Sequence, residues 1–287
     1  MNYLFYNPLA DAGKDQEKIP SLVEELKASL GGEVEARSLL ELVWDEFLKN
    51  VQPEDRIILL GGDGTLNYQI NHLPVDEELP CDFYLYPSGT GNDFLNDVKA
   101  SQDPKTKLVK LNEFLRNLPV IEVKGKTYRF INGIGFGIDG ECCKKADEMK
   151  EAGETNIDYS KITIHLLMKS FVPPLATVRV DNGEIKTFKK TYISAAMNGK
   201  YYGGGMMVAP EQERGSNLLS CVVIHGRGKL GTLLLFPSLF KGTHVKKKKA
   251  VYTVQGKLIE VTFDRPTALQ IDGDVVPDVT SYRAYIR

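Results

Sequence analysis

Cysteine, histidine and long apolar runs are scarce in this chain, and each scarcity removes a class of function. Four cysteines in 287 residues (Cys81, Cys142, Cys143 and Cys221) show no paired spacing, so they build neither a zinc site nor a disulfide framework. They read as reduced, mostly buried thiols. The histidines His72, His165, His225 and His244 stand in no metal-ligand spacing and read as structural or surface residues. The longest apolar stretch, Leu230 to Phe240, is interrupted by Pro237 and falls far short of the ~20 residues a membrane helix needs. The opening Met1-Asn2-Tyr3-Leu4-Phe5-Tyr6-Asn7-Pro8 has neither a basic leader nor a cleavable apolar region, so the expected location is cytoplasmic. Net charge is only −2, which leaves no global basic field for nucleic acid; any attraction to an anionic surface must be local.

What remains is the composition of a folded protein, 42% hydrophobic and 26% charged, in a chain long enough for two domains. The first third alternates strand-like and helix-like runs, the pattern of a parallel sheet with helices on its faces. Tyr3 to Tyr6 is the first strand. Ile19, Leu22, Val23, Leu26 and Leu30 recur at helical spacing and stop at Gly31-Gly32. A second helix is expected over Leu39 to Leu48. Arg56 to Leu60 is a compact apolar run that ends at Gly61-Gly62, and Phe83 to Tyr86 repeats that design before Pro87.

After about Leu118 the runs become short, alternating and rich in Val, Ile, Thr, Tyr and Phe, so the second half is expected to be mainly β. Asp181-Asn182-Gly183 predicts a hairpin between Val178 to Val180 and Glu184-Ile185. Further strands are expected at Lys190 to Met197, Leu218 to Ile224, Val251 to Val254, Leu258 to Phe263 and Tyr282 to Ile286.

The sharpest motif is Gly61-Gly62-Asp63-Gly64-Thr65-Leu66-Asn67, where a strand ends and a helix begins. Three glycines let the backbone bring its N–H groups against phosphate oxygens, and the following helix N-terminus favours an anion. Asp63 is a candidate ligand for Mg²⁺ on those phosphates, and Thr65 and Asn67 add hydroxyl and amide groups. The alternative is a purely structural turn. Pro87-Ser88-Gly89-Thr90-Gly91-Asn92-Asp93-Phe94 follows the next strand, so both loops are expected at the carboxyl edge of one sheet, where open α/β sheets bind ligands. Thr90 is a candidate phosphate contact and Asp93 a second carboxylate for the metal or its waters; a type II turn with a helix-capping Asn92 or Asp93 is the plainer reading.

These two loops resemble the diacylglycerol kinase catalytic family, which includes bacterial lipid kinases and the sphingosine and ceramide kinases. Asn7-Pro8 with Gly13-Lys14 looks like that family's opening turn, and Asn132-Gly133-Ile134-Gly135-Phe136-Gly137-Ile138-Asp139 like its central glycine-rich segment. Gly203-Gly204-Gly205-Met206 with Ala209-Pro210 looks like a later signature, and Asp272-Gly273-Asp274 stands where the family has Asp-Gly-Glu. The Gly-Gly-Asp-Gly-Thr core is shared with NAD kinases and phosphofructokinases; the second loop and the C-terminal motif select the lipid-kinase branch.

The resemblance implies an α/β nucleotide-binding domain over residues 1–120, like that of NAD kinase and phosphofructokinase. A mainly antiparallel β-sandwich acceptor domain would follow over 121–287, its C-terminal tail free to pack back on the first. It implies ATP as phosphate donor with Mg²⁺, a lipid such as diacylglycerol as acceptor, and Asp272 as the general base. Asn7 and Ser38 join Gly61 to Asn67 and Thr90 as nucleotide contacts, with Asp63 and Asp93 toward the metal. Ser216 replaces the aspartate that helps many relatives hold a structural Mg²⁺, so that second metal site is expected to be weak or absent; Glu213 is a candidate to compensate, with nothing in the sequence that shows it does. Lys246 to Lys249, after the apolar Leu233 to Phe240, reads equally as a transient contact with an anionic membrane or as a solvated loop guarding a strand edge. A soluble-acceptor kinase like NAD kinase and a non-catalytic nucleotide-binding regulator are the rival functions. The sequence leaves a homodimer open, with no residue arguing for one.

Overall fold

The computed structural model describes residues 1–9, 14–75, 77–89 and 91–287. It divides into two units, Met1–Asn117 and Leu118–Arg287.

The first unit is a five-stranded sheet in the order β2-β1-β3-β4-β5, from β1 (Asn2–Tyr6), β2 (Val34–Ser38), β3 (Arg56–Gly61), β4 (Asp82–Pro87) and β5 (Val109–Lys110). The first four strands run parallel and β5 antiparallel to β4. Strand alternation sorts the apolar side chains onto two faces. Leu4, Ile58 and Leu60 meet Ile19, Leu22 and Leu26 of α1 (Lys14–Leu30), whose end is set by the positive φ of Gly31 and Gly32. On the opposite face Phe5 and Phe83 receive Trp44 of α2 (Trp44–Leu48) at ring-centroid distances of 5.3 and 5.8 Å. The indole N–H donates to Gln69 Oε1 at 2.7 Å, fastening α2 to α3 (Asp63–Ile70). The helix expected over Leu39 to Leu48 is thus shorter: Leu39–Glu41 form a 3₁₀ turn capped by Ser38, and α2 begins only at Trp44. Two short helices, α4 (Asp93–Val98) and α5 (Asn112–Leu115), complete the unit.

The second unit is a ten-stranded antiparallel sheet. Its strands are β6 (Val120–Val123), β7 (Lys126–Arg129), β8 (Gly133–Gly137), β9 (Ala176–Val180), β10 (Lys186–Phe188), β11 (Ile193–Met197), β14 (Leu219–Ile224), β15 (Val251–Gly256), β16 (Leu258–Ile271) and β17 (Asp274–Tyr285). A separate ribbon joins β12 (Tyr201–Tyr202) to β13 (Met206–Met207). The Asn-Gly hairpin forms as β9 and β10, although β10 starts at Lys186, so Glu184 and Ile185 belong to the connection. Strand β16 organises the sheet, pairing with β9 from Ile259 to Phe263, shifting register between Thr262 and Thr267, and pairing with β8 from Leu269 to Ile271. Phe136 of β8 stacks on Phe263 of β16 at 3.7 Å within the core this bend encloses.

Four helices accompany the expected, mainly β texture: α6 (Ile138–Glu151), α7 (Tyr159–Lys169), α8 (Lys229–Leu233) and α9 (Phe236–Phe240). Helix α6 packs through small residues, since a Cβ on Gly140 would run into the Ala268 carbonyl of β16. Among the described residues no helix is long and apolar enough to cross a membrane. The cysteines are free thiols, and burial pushes those of Cys81 and Cys221 up to about 12, which keeps them unreactive.

Asp139, in the first turn of α6, is buried with one oxygen 2.7 Å from the Tyr202 hydroxyl and the other without a partner. Burial pushes its carboxyl from 3.8 up to about 6, against the hydrogen bond from Tyr202. Between those values the folded chain binds more protons than the unfolded one, so stability falls as pH rises through that window and levels off above it. Asp139→Asn, which keeps an acceptor for Tyr202 and cannot ionise, should remove a slope of about 3 kcal/mol in urea unfolding followed from about pH 4 to pH 7.

Candidate functional site

Four strand ends meet along one edge of the first sheet. Tyr6 pairs with both Ser38 and Leu60, and Gly61 pairs with Pro87. Asn7, Ser38, Gly61 with Gly62, and Ser88 with Gly89 therefore leave β1 to β4 side by side at the carboxyl edge. Two of these side chains shape their own turns: Asn7 Oδ1 accepts the Leu9 N–H at 3.0 Å and Ser38 Oγ that of Leu40 at 3.1 Å.

The two glycine loops touch. A Cβ on Gly62 would lie 2.9 Å from Gly89 Cα, and one on Gly89 2.8 Å from Gly62 Cα, so neither position accepts a side chain while the loops stay in place. The Ser88 N–H donates to the Gly61 carbonyl at 3.0 Å. Asp63 ties the loops again, its Oδ2 accepting the Asp93 N–H at 2.7 Å and its Oδ1 the Phe94 N–H at 2.9 Å. Helix α4 has no side-chain cap of its own, because Asn92 sits in the left-handed region (φ 47°) and turns its amide onto the Gly89 carbonyl at 2.6 Å. A carboxylate from the neighbouring loop supplies that cap, a charge-assisted contact worth on the order of 1–2 kcal/mol.

Gly64 is different. It is exposed, and a Cβ there would meet nothing within 4 Å, so no internal contact demands glycine at this position. It lies with Thr65 in the first turn of α3, where backbone N–H groups precede the intrahelical ladder. Thr65 packs its side chain over Gly61. Leu66 is fully buried, and Asn67 is buried with its Oδ1 accepting from Asn71 at 3.4 Å, so these two residues of the predicted binding loop anchor α3 instead of facing a ligand. Thr90 and Gly13 lie outside the described residues.

In the second unit Asp272 and Gly273 form the two-residue turn between β16 and β17, with φ of 48° and 101° as such a hairpin requires. The turn is also a clamp: Asp272 Oδ2 accepts the Ile131 N–H at 2.6 Å, and Oδ1 accepts those of Asn132 at 2.9 Å and Gly133 at 2.8 Å. Gln270 Oε1 accepts the Gly273 N–H at 2.7 Å, bracing the turn from below. The same segment is held from its other side by Arg214, which donates to the Ile131 carbonyl at 2.5 Å and to Asn132 Oδ1 at 2.7 Å, and by Asn198, whose amide reaches the Ile131 carbonyl at 2.9 Å. Sequence reading passed over Arg214 and Asn198, because partners 67 to 83 positions away leave no local signature, and over Gln270, whose bond to Gly273 only the turn reveals. Ser216 closes its own turn by donating to the Glu213 carbonyl at 2.7 Å.

Residues 2–123 match the diacylglycerol kinase catalytic domain, and residues 132–284 match the YegS C-terminal NAD kinase beta sandwich-like domain. The chain belongs to the diacylglycerol kinase catalytic-domain family. Relatives of this family include YtlR of Bacillus subtilis, 23% identical over 67% of this chain and 65% of that protein, and the YegS-like protein of Shewanella frigidimarina, 23% identical over 85% and 76%. A diacylglycerol kinase of Mycobacterium tuberculosis is 24% identical over 72% of this chain and 66% of its own length, so the chain spans just under two thirds of two of these three relatives. Two Bacillus anthracis crystal structures share the fold. One covers 100% of this chain and 92% of its own at a TM-score of 0.70 and 19% identity. The other, of a diacylglycerol kinase, covers 99% and 93% at 0.62 and 17%.

Asp63 and Asp93, read as ligands for the Mg²⁺ that this family implies, are tied to the backbone and buried, respectively. Both Asp63 oxygens take N–H groups, Asp93 is 5% exposed, and among the described residues no three acidic, histidine or cysteine side chains cluster to hold a metal. The Asp63 carboxylate is a loop tie that caps an otherwise uncapped helix, and each of its oxygens keeps a second lone pair beyond that tie.

Gly89→Ala should force the loops apart and cost about 1–3 kcal/mol. Asp63→Asn, which sets an amide N–H against one of the two backbone N–H groups, should cost about 2 kcal/mol. Thermal melts of each variant check both, with Gly64→Ala expected to leave stability nearly unchanged.

Proposed function

We propose that this chain is an ATP-dependent lipid kinase that transfers the γ-phosphate to a hydroxyl of a lipid such as diacylglycerol. The observation that carries the reading is the pairing at the carboxyl edge of the first sheet. Two glycine loops are locked together by Asp63, beside an exposed glycine that no internal contact requires. A close-approaching phosphate gives Gly64 its reason, and the first-turn N–H groups of α3 give that phosphate its donors. In this reading Gly61 to Thr65 hold the β- and γ-phosphates with Thr90 on the second loop, and Asn7 and Ser38 shape the neighbouring turns. Mg²⁺ arrives with the nucleotide, held by phosphate and water.

Asp272 takes the proton from the acceptor hydroxyl. Three backbone N–H groups fix the plane of its carboxylate, so its aim is set before substrate arrives. Phosphoryl transfer depends mainly on positioning and charge neutralisation, and the base is needed only to accept a proton. A lipid acceptor also brings the protein to a membrane surface.

Labelled γ-phosphate from Mg²⁺-ATP, presented with a total lipid extract in mixed micelles and separately with NAD, tests this. Wild type should label a lipid and leave NAD unlabelled; label in NAD alone would make the chain a soluble-acceptor kinase. Asp272→Asn should lower transfer by 10²-fold or more, in the range of a lost general base, while ATP binding changes little, whereas Gly64→Val should weaken ATP binding at unchanged melting temperature. An Asp272→Asn enzyme of full activity would remove that residue from the chemistry.

A further inference from the structure

The chain is acidic overall, yet its acid residues avoid one long segment. From Arg214 to Ile259 there is no Asp or Glu, while Arg214, Arg227, Lys229, Lys241, Lys246 to Lys249 and Lys257 supply nine cations. Tyr159 to Val180 likewise carries Lys161, Lys169 and Arg179 and no acid. The two segments meet in the fold, where Lys229 at the start of α8 donates to the Met168 carbonyl at the end of α7 at 3.2 Å.

The surface they form is apolar as well as basic. Leu235 and Leu239 anchor α8 and α9 in the core at 1% and 2% exposure, which turns Leu230 (64%), Leu234 (71%) and Phe240 (44%) outward. Beside them α7 exposes Met168 and the following turn exposes Val172. Several lysines elsewhere in the protein are paired, as Lys107 with Glu25, Lys110 with Asp82 and Lys145 with Glu148. Lys169, Lys241 and Lys246 to Lys249 are exposed, and among the described residues no carboxylate lies within ion-pair distance of them. Lys246 to Lys249 do not guard the edge strand either, because they precede β15, which itself contains no lysine.

We infer that the α8–α9 face, with the end of α7 and Lys246 to Lys249, is the surface by which this protein docks on an anionic lipid bilayer. Leu230, Leu234 and Phe240 enter the headgroup region and the lysines meet lipid phosphates and carboxylates. A second copy of the chain fits poorly, since a two-fold interface would set the same lysines against one another. Nucleic acid would leave the leucines unexplained. The docking face serves the lipid-kinase reading, on which its purpose rests, but its binding can be measured without it.

Sedimentation of the full chain with phosphatidylcholine vesicles, with and without phosphatidylserine, tests this in the absence of ATP. Phosphatidylserine has no free hydroxyl, so failure to bind and failure to phosphorylate are separate results. Wild type should bind the mixed vesicles, lose binding as salt rises, and bind phosphatidylcholine alone weakly. Changing Lys246 to Lys249 all to Ser should weaken binding by roughly fivefold per lysine at low salt, and Leu230→Ser with Leu234→Ser by tenfold or more, with melting temperatures unchanged since all six side chains are exposed. Lys145→Ser should have no effect on binding. The inference is overturned if wild type binds neither vesicle or if the four-lysine variant binds like wild type. It is overturned equally if the leucine changes convert a dimer to a monomer without altering vesicle binding.

Discussion

The bond from the Asp63 carboxylate to the first two amides of α4 is the constraint on which the N-terminal site depends. Parallel strands deliver loops to one edge of a sheet, but they do not by themselves bring two loops into contact. Here contact is made by a pair of glycines whose Cα atoms leave no room for a side chain, and it is held by a carboxylate that replaces the cap α4 lacks. Because the cap comes from the other loop, the start of α4 and the start of α3 cannot shift independently. A rigid floor of backbone N–H groups is what a phosphate site needs, since donors that must be reorganised on binding give back much of what they contribute.

The second unit repeats the device with different elements. Asp272 sits in a turn that geometry restricts to residues tolerant of positive φ, and its side chain reaches back to gather three consecutive amides of the segment leading into β8. Arg214 and Asn198 take the carbonyls of that segment, so a stretch with no regular structure has donors and acceptors both satisfied from outside. In both units a carboxylate that looks like chemistry is first of all a hydrogen-bond acceptor for backbone. For Asp63 that role fixes the carboxylate between the two loops and leaves each oxygen one further lone pair. For Asp272 it leaves the catalytic reading standing, because a base needs orientation and does not need to coordinate a cation.

Charge distribution follows a different logic from net charge. A total of −2 says nothing about a chain whose acids are absent from 46 consecutive residues, and the fold gathers those residues with the similarly acid-free α7. Among the described residues Lys169, Lys241 and Lys246 to Lys249 make no ion pair, although several exposed lysines elsewhere do.

The sequence by itself determined the parallel sheet and its loops, because compact apolar runs that end at glycine can do little but form buried strands entering turns. It also determined the Asn-Gly hairpin and most of the later strands, whose short alternating runs match the pleat. It did not reveal α6, whose buried positions after Ile138 and Asp139 are Gly140, Cys142 and Ala146, which make no stripe of large side chains. Nor did it reveal that β16 continues through Asp264-Arg265-Pro266, a run that reads as a break but is absorbed by a register shift. Tertiary structure alone decided that Leu66 and Asn67 face inward, that Asp63 caps α4, and that Arg214 and Gln270 support the Asp272 turn. Each of those facts is a contact between residues distant in the chain or a choice of which way a side chain points, and neither is encoded in local periodicity.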